Sequence, residues 1–532
     1  ALVFCFGRQL CFDKARLLRA CPKFVNKDEL EQIKERASGV LLQTGMSEEF
    51  ERLLHHGIGV HHAGVLPSYR RLVEELTVDR LLKVVVTTET IAAGINLPAK
   101  RCVFPSLRKV IKRKKRLLHP AEYHQMAGRA GRPQYDDEGI AITLAPEEVI
   151  QEFRKEIKDL KKRGNHALDE SKIKKKHYNK AKTDARAKED ITWDPEVHQQ
   201  LVEGEPAALQ SKTRVTAEQI LAIGLPDLAS ESLPGQAAVA REMEAKAKAE
   251  EERARLVAEA TGAPEVTPSA AHEAPNTPAA TAPPSDAPPP RSEQVAHLDI
   301  IHVINNLLLP DGQKAEAHKQ LAMITRNLQA LAVLDARGAQ IDGRMIGQIR
   351  GLDGPFVFYV TKHHDLDAVL AHEMVEFMVD HDAIQRIFDR RAREERRQWV
   401  LERLRELRRE NPAISFEDVD AMYEEEHPYE PAQVEVIFEA FSAKVPHPEL
   451  HGGKRMKRIW AEMFEDELTF SDFVERHDLG YEEGSLFTYL ARVMKASKML
   501  AEVTHAGVFS EIEQRIRHRL AAVDERVAEG VW

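Results

Sequence analysis

Along residues 1–150, short apolar runs alternate with segments whose apolar positions recur at helical spacing. The runs Leu2–Phe6, Ile58–His61, Lys83–Thr87, Arg101–Pro105 and Ile140–Leu144 predict strands, near-continuously apolar as strands covered on both faces are. Amphipathic segments near Arg8–Ala20, Glu48–His55, Tyr69–Asp79 and Ala121–Met126 predict the intervening helices. This alternation predicts an α/β domain over 1–150, a parallel sheet with helices on both faces. Residues 151–189 then read as a basic helical connector, and 190–228 as a small helical or winged-helix-like module. Within 229–293, Arg241–Ala260 reads as an exposed charged helix, and Thr261–Ser292 as a disordered linker. That linker carries nine of the chain's 27 prolines and lacks the apolar positions a core requires. From 294 to 532 the pattern is helical nearly throughout, with apolar spacing at Leu298, Ile301 and Ile304 and at Leu321, Ile324, Leu328 and Leu331. It predicts an all-α bundle.

Composition adds bounds. A length of 532 residues predicts two to four domains, and 43% hydrophobic residues suffice for real cores. No run approaches the ~20 apolar residues of a membrane span, and no leader-like segment is present. Cys5, Cys11, Cys21 and Cys102 form no C-x-x-C pair, which suits buried thiols in a reducing, cytoplasmic setting. The first residues, Ala1–Phe6, are an apolar strand without an initiating Met, so a preceding N-terminal portion is expected. A net charge of −10 conceals uneven segments. Leu107–Leu118 alone holds seven cations in twelve residues, among them Arg108, Lys109, Lys112, Arg113, Lys114 and Lys115. Such a stretch is either a solvated loop or a projection lying on a polyanion, where each phosphate contact releases counterions. Further basic tracts run from Arg154 to Lys188 and from Arg386 to Arg409; a solvated helix face is the default reading of both.

The stretch with the most chemistry is Val84–Arg132. It closes on Gln125-Met126-Ala127-Gly128-Arg129-Ala130-Gly131-Arg132, two glycines interleaved with two arginines. That arrangement lets backbone approach a phosphate while guanidinium forks reach its oxygens. The chain has no G-x-x-x-x-G-K-[ST] phosphate loop and no D-E-x-[DH] box after an apolar strand. His372-Glu373-Met374-Val375-Glu376 lacks the second histidine of a zinc-binding helix, so no metal site is expected there.

Taken together, four segments resemble the superkiller/exosome-associated DExH-box RNA helicases of superfamily two. Thr87–Pro98 is similar to their motif V, Gln125–Pro133 to motif VI, and Gly57-Ile58-Gly59-Val60-His61-His62-Ala63-Gly64 to the element preceding motif V. Ala1–Phe6 resembles motif IV. The resemblance implies that residues 1–150 are the second RecA-like motor domain, with ATP and Mg held between it and a first domain that supplies the magnesium ligands. By itself this chain would then not hydrolyse ATP. Arg129 and Arg132 would reach the transferring phosphoryl group, and Gln125 would contact the nucleotide or its coupling network. Gly94 and Asn96 would link nucleotide state to the strand track. His62, Gly64, Thr88 and Glu89 would lie along nucleic acid, and Leu107–Leu118 would be the family's β-hairpin, a strand separator or a phosphate grip. Gly204-Glu205-Pro206 resembles the start of the winged-helix module, and Glu483–Arg492 the closing helix of the bundle, which in the family completes a ring over a single strand. Asp342 stands where the family expects Lys, and the family's inserted arch has no counterpart, a layout closer to a bacterial enzyme. Motifs V and VI do not distinguish RNA from DNA. The implied partners are single-stranded or partly duplex RNA, or DNA, and RNA-degradation machinery; a non-catalytic nucleic-acid clamp is the alternative class.

Overall fold

The computed structural model describes residues 1–40, 47–89, 99–111, 114–131, 136–163, 169–188, 190–205, 214–226, 228, 232–261, 299–379, 381–452, 456 and 459–530. Among the described residues seven strands form in chain order: β1 (Leu2–Phe4), β2 (Ile58–His61), β3 (Val84–Thr87), β4 (Arg101–Phe104), β5 (Arg108–Ile111), β6 (Lys114–Leu117) and β7 (Ile140–Thr143). Five of them make one all-parallel sheet in the order β2-β3-β1-β4-β7. The four residues of β2 are all buried, which explains why this strand reads as continuous rather than alternating. Helices α1 (Arg8–Leu18), α2 (Lys27–Ser38), α3 (Ser47–Leu54), α4 (Pro67–Val78) and α5 (Pro120–Ala127) connect the strands. The core lies where they meet the sheet, around Phe12, Phe50, Tyr69, Leu76, Phe4 and Phe104.

Sequence periodicity overlooked α2. Its start is fixed by a capping box: the Asn26 side chain accepts from the Glu29 backbone N–H while the Glu29 carboxylate accepts from that of Asn26. The spacing of those two residues was the legible signal.

Helices α6 (Glu147–Lys162) and α7 (Glu170–Ala187) pack on each other. The next two divide their packing. α8 (Pro195–Glu203) lies on α5, where the Tyr123 hydroxyl meets His198 Nε2 at 3.0 Å. α9 (Ala217–Ile223) packs on the C-terminal helices. Among the described residues of 190–228 there is no strand, so a wing is not part of what is described.

The charged helix predicted at Arg241–Ala260 forms as α10 (Gln236–Thr261), but its first turns are not free. Val239 is buried against Ala322 and Met323, and Glu242 pairs with Lys319. The expected linker lies almost entirely outside the described residues.

Among the described residues eleven helices follow: α11 (Ile300–Asn305), α12 (Asp311–Ala330), α13 (Gly354–His363), α14 (Ala368–Met378), α15 (Asp382–Leu407), α16 (Phe416–Glu426), α17 (Gln433–Lys444), α18 (Ile459–Glu465), α19 (Phe470–Arg476), α20 (Glu483–Thr504) and α21 (Gly507–Ala521). They pack around Phe356, Phe441, Phe473, Phe487 and Phe509, all under 1% exposed. The Glu373 carboxylate accepts from the Val434 N–H at 3.0 Å, and that of Glu376 from the Ile459 N–H at 3.0 Å. These two acids of α14 therefore join it to α17 and α18.

Candidate nucleotide and nucleic-acid interface

The carboxyl ends of β1, β2, β3 and β4 converge on one edge of the sheet, where parallel α/β folds place their ligands. Thr87, at the end of β3, donates through Oγ1 to the His61 carbonyl at 2.7 Å and so ties β3 to β2. Thr88 is half-buried just beyond it, and Glu89 is exposed. Gly94 and Asn96 lie outside the described residues.

The cationic stretch after β4 is a hairpin. β5 and β6 pair antiparallel, with Val110 opposite Lys115 and Ile111 opposite Lys114. Most of its charge is already matched. Lys109, only 7% exposed, reaches Glu89 at 2.8 Å and Glu122 at 2.5 Å. Arg116 forks onto Glu122 at 2.6 and 2.8 Å. Arg108 and Lys115 share Asp190, at 3.1 and 2.9 Å. Lys114 is exposed with no acidic partner among the described residues, while Lys112 and Arg113 lie outside them. The hairpin thus presents fewer free cations than its sequence suggests. It also exposes Val110 and Ile111, two apolar residues that composition alone obscured.

Glu122 organises this network. Burial pushes its carboxyl up, but hydrogen bonds from Arg116, the His119 backbone N–H and Lys109 outweigh that and hold it at about 2. Replacing it with Gln leaves Lys109 with Glu89 alone. Glu122→Gln is expected to cost about 1–3 kcal/mol, and to speed proteolysis within 108–117, both readable by urea unfolding and limited trypsin digestion. Unchanged values for both would show that the hairpin is held by other means.

The glycine–histidine element, which holds the expected nucleic-acid contacts His62 and Gly64, packs beneath the C-terminal helices. His62 is 0% exposed and stands edge-on to Phe12, ring centroids 5.5 Å apart. Gly64 accepts through its carbonyl from the Gly484 N–H at 2.9 Å. A Cβ on Gly64 would lie 2.5 Å from the Tyr481 carbonyl oxygen, and one on Gly484 2.2 Å from that of Val65. Two glycines let two backbones touch here. Around this contact Arg8 pairs with Glu482 and donates to Ser485 Oγ at 2.5 Å. Arg16 forks onto Glu49, its Nη2 at 2.6 Å, and reaches the Tyr481 hydroxyl. Arg71 meets Asp524 at 2.8 Å. The motif is buried because a hydrogen-bonded seat for α20 has formed over it.

His62 is neutral in this seat. Its Nδ1 accepts from the Gly64 N–H at 3.1 Å, which puts the ring proton on Nε2. Burial, with Arg8, His61 and Arg70 nearby, lowers its pKa to about 3. The unfolded chain therefore binds a proton at this position below its ordinary value of about 6.5, while the folded one does not until about 3. Stability is expected to fall as pH drops through that window, by about 2 kcal/mol from this residue between pH 6.5 and 5. His372, lowered to about 3 by burial and by Arg515, adds in the same direction. Urea unfolding at pH 7 and pH 5, compared with His62→Asn, measures it; an equal acid loss in both proteins would remove His62 as a source.

The arginine-bearing turn follows α5. Gln125 is exposed on its last turn, and Arg129 stands one helical turn later, half-buried. Ala130 bridges Ala99, and the Gly131 N–H donates to the Ala99 carbonyl at 2.9 Å. Gly131 has φ +66°, and a Cβ there would lie 2.2 Å from the Gly139 nitrogen, so only glycine fits. The Gln125 carboxamide on the last turn of α5 and the Arg129 guanidinium in the turn beyond its Gly128 cap make a donor set that suits phosphate oxygens. Arg132 lies outside the described residues. Among the described residues, no three His, Cys, Asp or Glu side chains are grouped to hold a metal ion.

This sheet, with its glycine–arginine turn after the helix that follows the hairpin, fits a RecA-like domain of the kind that helicases carry. Residues 26–134 match the helicase conserved C-terminal domain. The chain is 37% identical over 158 residues to a DExH-box ATP-dependent RNA helicase, DExH11, of Arabidopsis thaliana, covering 28% of this chain and 12% of that protein. It is 38% identical over 149 residues to the Superkiller complex protein 2 of Homo sapiens, covering 27% and 12%. It is also 45% identical over 111 residues to the ATP-dependent DNA helicase Hel308 of Aeropyrum pernix, covering 20% and 15%. The matched region spans a small part of each relative. Within it, the chain is similar to the C-terminal portion of superkiller-type DExH-box helicases.

Proposed function

We propose that this chain is the second motor domain and the strand-enclosing C-terminal part of an ATP-dependent helicase that tracks 3′ to 5′ on RNA and separates duplexes. The observation that carries the reading is the turn Gln125–Gly131, which holds a carboxamide and a guanidinium within four residues and closes on Gly131, where only glycine fits. In this reading ATP and Mg bind between this domain and a first RecA-like domain bearing the magnesium ligands. Arg129 and Arg132 stabilise the charge on the transferring phosphoryl group, Gln125 contacts the nucleotide, and Gly94 and Asn96 couple nucleotide state to the strand. Thr88 and the hairpin cations Lys112, Arg113 and Lys114 meet phosphates, while Val110 and Ile111 at the hairpin offer apolar surface for an unstacked base. Residues 190–228 act as the winged-helix module, and the C-terminal helices close over the strand. A partner in RNA degradation follows from the superkiller resemblance.

A DNA substrate is the second reading, favoured by the likeness to an archaeal DNA helicase. The deciding experiment joins this chain to a first motor domain and compares unwinding of RNA and DNA duplexes with 3′ overhangs. ATP-dependent unwinding of RNA supports the proposal, preference for DNA supports the second reading, and strand binding with no ATP turnover would leave only a clamp.

A further inference from the structure

Helices α6 and α7 form an antiparallel pair that the motor reading leaves without a task. Their seam is narrow: Phe153, Ile157 and Leu160 are only half-buried, with Ile173, His177 and Ala181 opposite. Charge is distributed unevenly along the pair. Residues 147–188 carry fourteen Lys and Arg against eight Asp and Glu, net +6 in a chain of net −10. Toward the base, acids of α6 offset cations of α7: Glu156 holds Lys176 at 2.9 Å and His177 at 2.7 Å, and Glu152 holds Lys180 at 3.0 Å. Toward the tip the balance fails. Lys158, Lys161, Lys162, Arg163 and Lys175 are exposed and have no acidic partner among the described residues.

The base of the pair adjoins the hairpin. Asp190, just beyond α7, takes both Arg108 and Lys115, and Arg108 also donates to the Ile191 carbonyl at 3.1 Å. The Trp193 indole N–H donates to the Leu144 carbonyl at 2.9 Å, fixing the return of the chain beside β7. A cationic tip is thus carried away from the strand-pairing hairpin on two helices of 16 and 18 residues, about 24–27 Å long at 1.5 Å per residue. That length matches about 14 charges along a duplex axis.

We propose that α6 and α7 form a prong that grips the phosphate backbone of the duplex arm next to the hairpin, without reading sequence. The prong rests on the RNA-motor reading above. The five cations act together through counterion release, so their signature is salt dependence.

The test uses the full chain, with fluorescence anisotropy on two labelled RNAs: a 12-nucleotide single strand, and the same strand extended by a 16-base-pair duplex. Lys158, Lys161, Lys162, Arg163 and Lys175 are all changed to Gln. The variant is expected to bind the duplex-bearing RNA at least tenfold more weakly at low salt, with a log–log salt slope shallower by about 3–5. Affinity for the single strand is expected to stay within twofold, and Lys→Arg changes at the four lysines to keep wild-type binding. Equal affinity and slope for the duplex-bearing RNA would overturn the prong while leaving the motor reading intact. Loss confined to polyglutamate binding would assign the tip to an acidic protein instead. Failure of the wild type to bind either RNA would overturn both readings.

Discussion

Arg132→Ala, in a polypeptide joining this chain to a first motor domain, is expected to lower ATP turnover by about 10³- to 10⁵-fold, the range a guanidinium supplies to phosphoryl transfer in related NTPases. The reason is electrostatic. Charge builds on the transferring phosphoryl oxygens, and a preorganised fork meets it without reorganising at the moment of reaction. Arg129→Ala is expected to act in the same direction, since this residue stands one turn beyond Gln125 with its backbone held at Met126 and the next residue bridged to Ala99. Single-strand affinity without nucleotide is expected to stay near wild type in both variants, which separates loss of chemistry from loss of folding. Lysine at 132 keeps the charge but not the fork and should recover little of the rate. Turnover within tenfold of wild type in Arg132→Ala would remove the residue from the catalytic step.

The second large effect concerns the seat under α20. In Gly484→Val the new Cβ would meet the Val65 carbonyl oxygen at 2.2 Å, and backbone cannot swing aside as a side chain can. The Gly484–Gly64 hydrogen bond is then lost, and the Arg8 and Arg16 contacts to Glu482, Ser485 and Tyr481 are pulled apart. A destabilisation of about 3 kcal/mol is expected, or a Tm lower by about 6–12 °C. Trypsin should also cut sooner between α19 and α20. Gly507→Ala on α21, where an added Cβ meets nothing, is the neutral control. If Gly484→Val melts with the control, the seat does not hold the two parts together.

Much of the motor domain was legible in the sequence because fully buried parallel strands leave a signature that composition cannot mask. The runs at Ile58–His61 and Lys83–Thr87 became β2 and β3 within a residue of where they were expected. The hairpin could be placed by resemblance but not by pattern, because Lys114–Leu117 has neither alternation nor apolar character. It pairs through its backbone, with its cations matched by Glu89, Glu122 and Asp190 from three separate stretches of chain. The packing around His62 was not legible for a related reason. A sequence window contains a residue's neighbours along the chain, and the cover over His62 comes from residues more than 400 positions away.

The sequence by itself determined the five strands of the parallel sheet, most of the helices between them, the glycine–arginine run that follows α5 and the helical character of the C-terminal half. All of these follow from local periodicity and from residue types with narrow conformational preferences, glycine above all. Only the tertiary structure decided which cations of the hairpin remain free and which acids of α14 serve as joints. It also decided that the glycine–histidine element forms the seat of α20. Those outcomes depend on close approach between distant segments, where burial and hydrogen bonding set the environment of each group. Such environments arise only when the chain has folded.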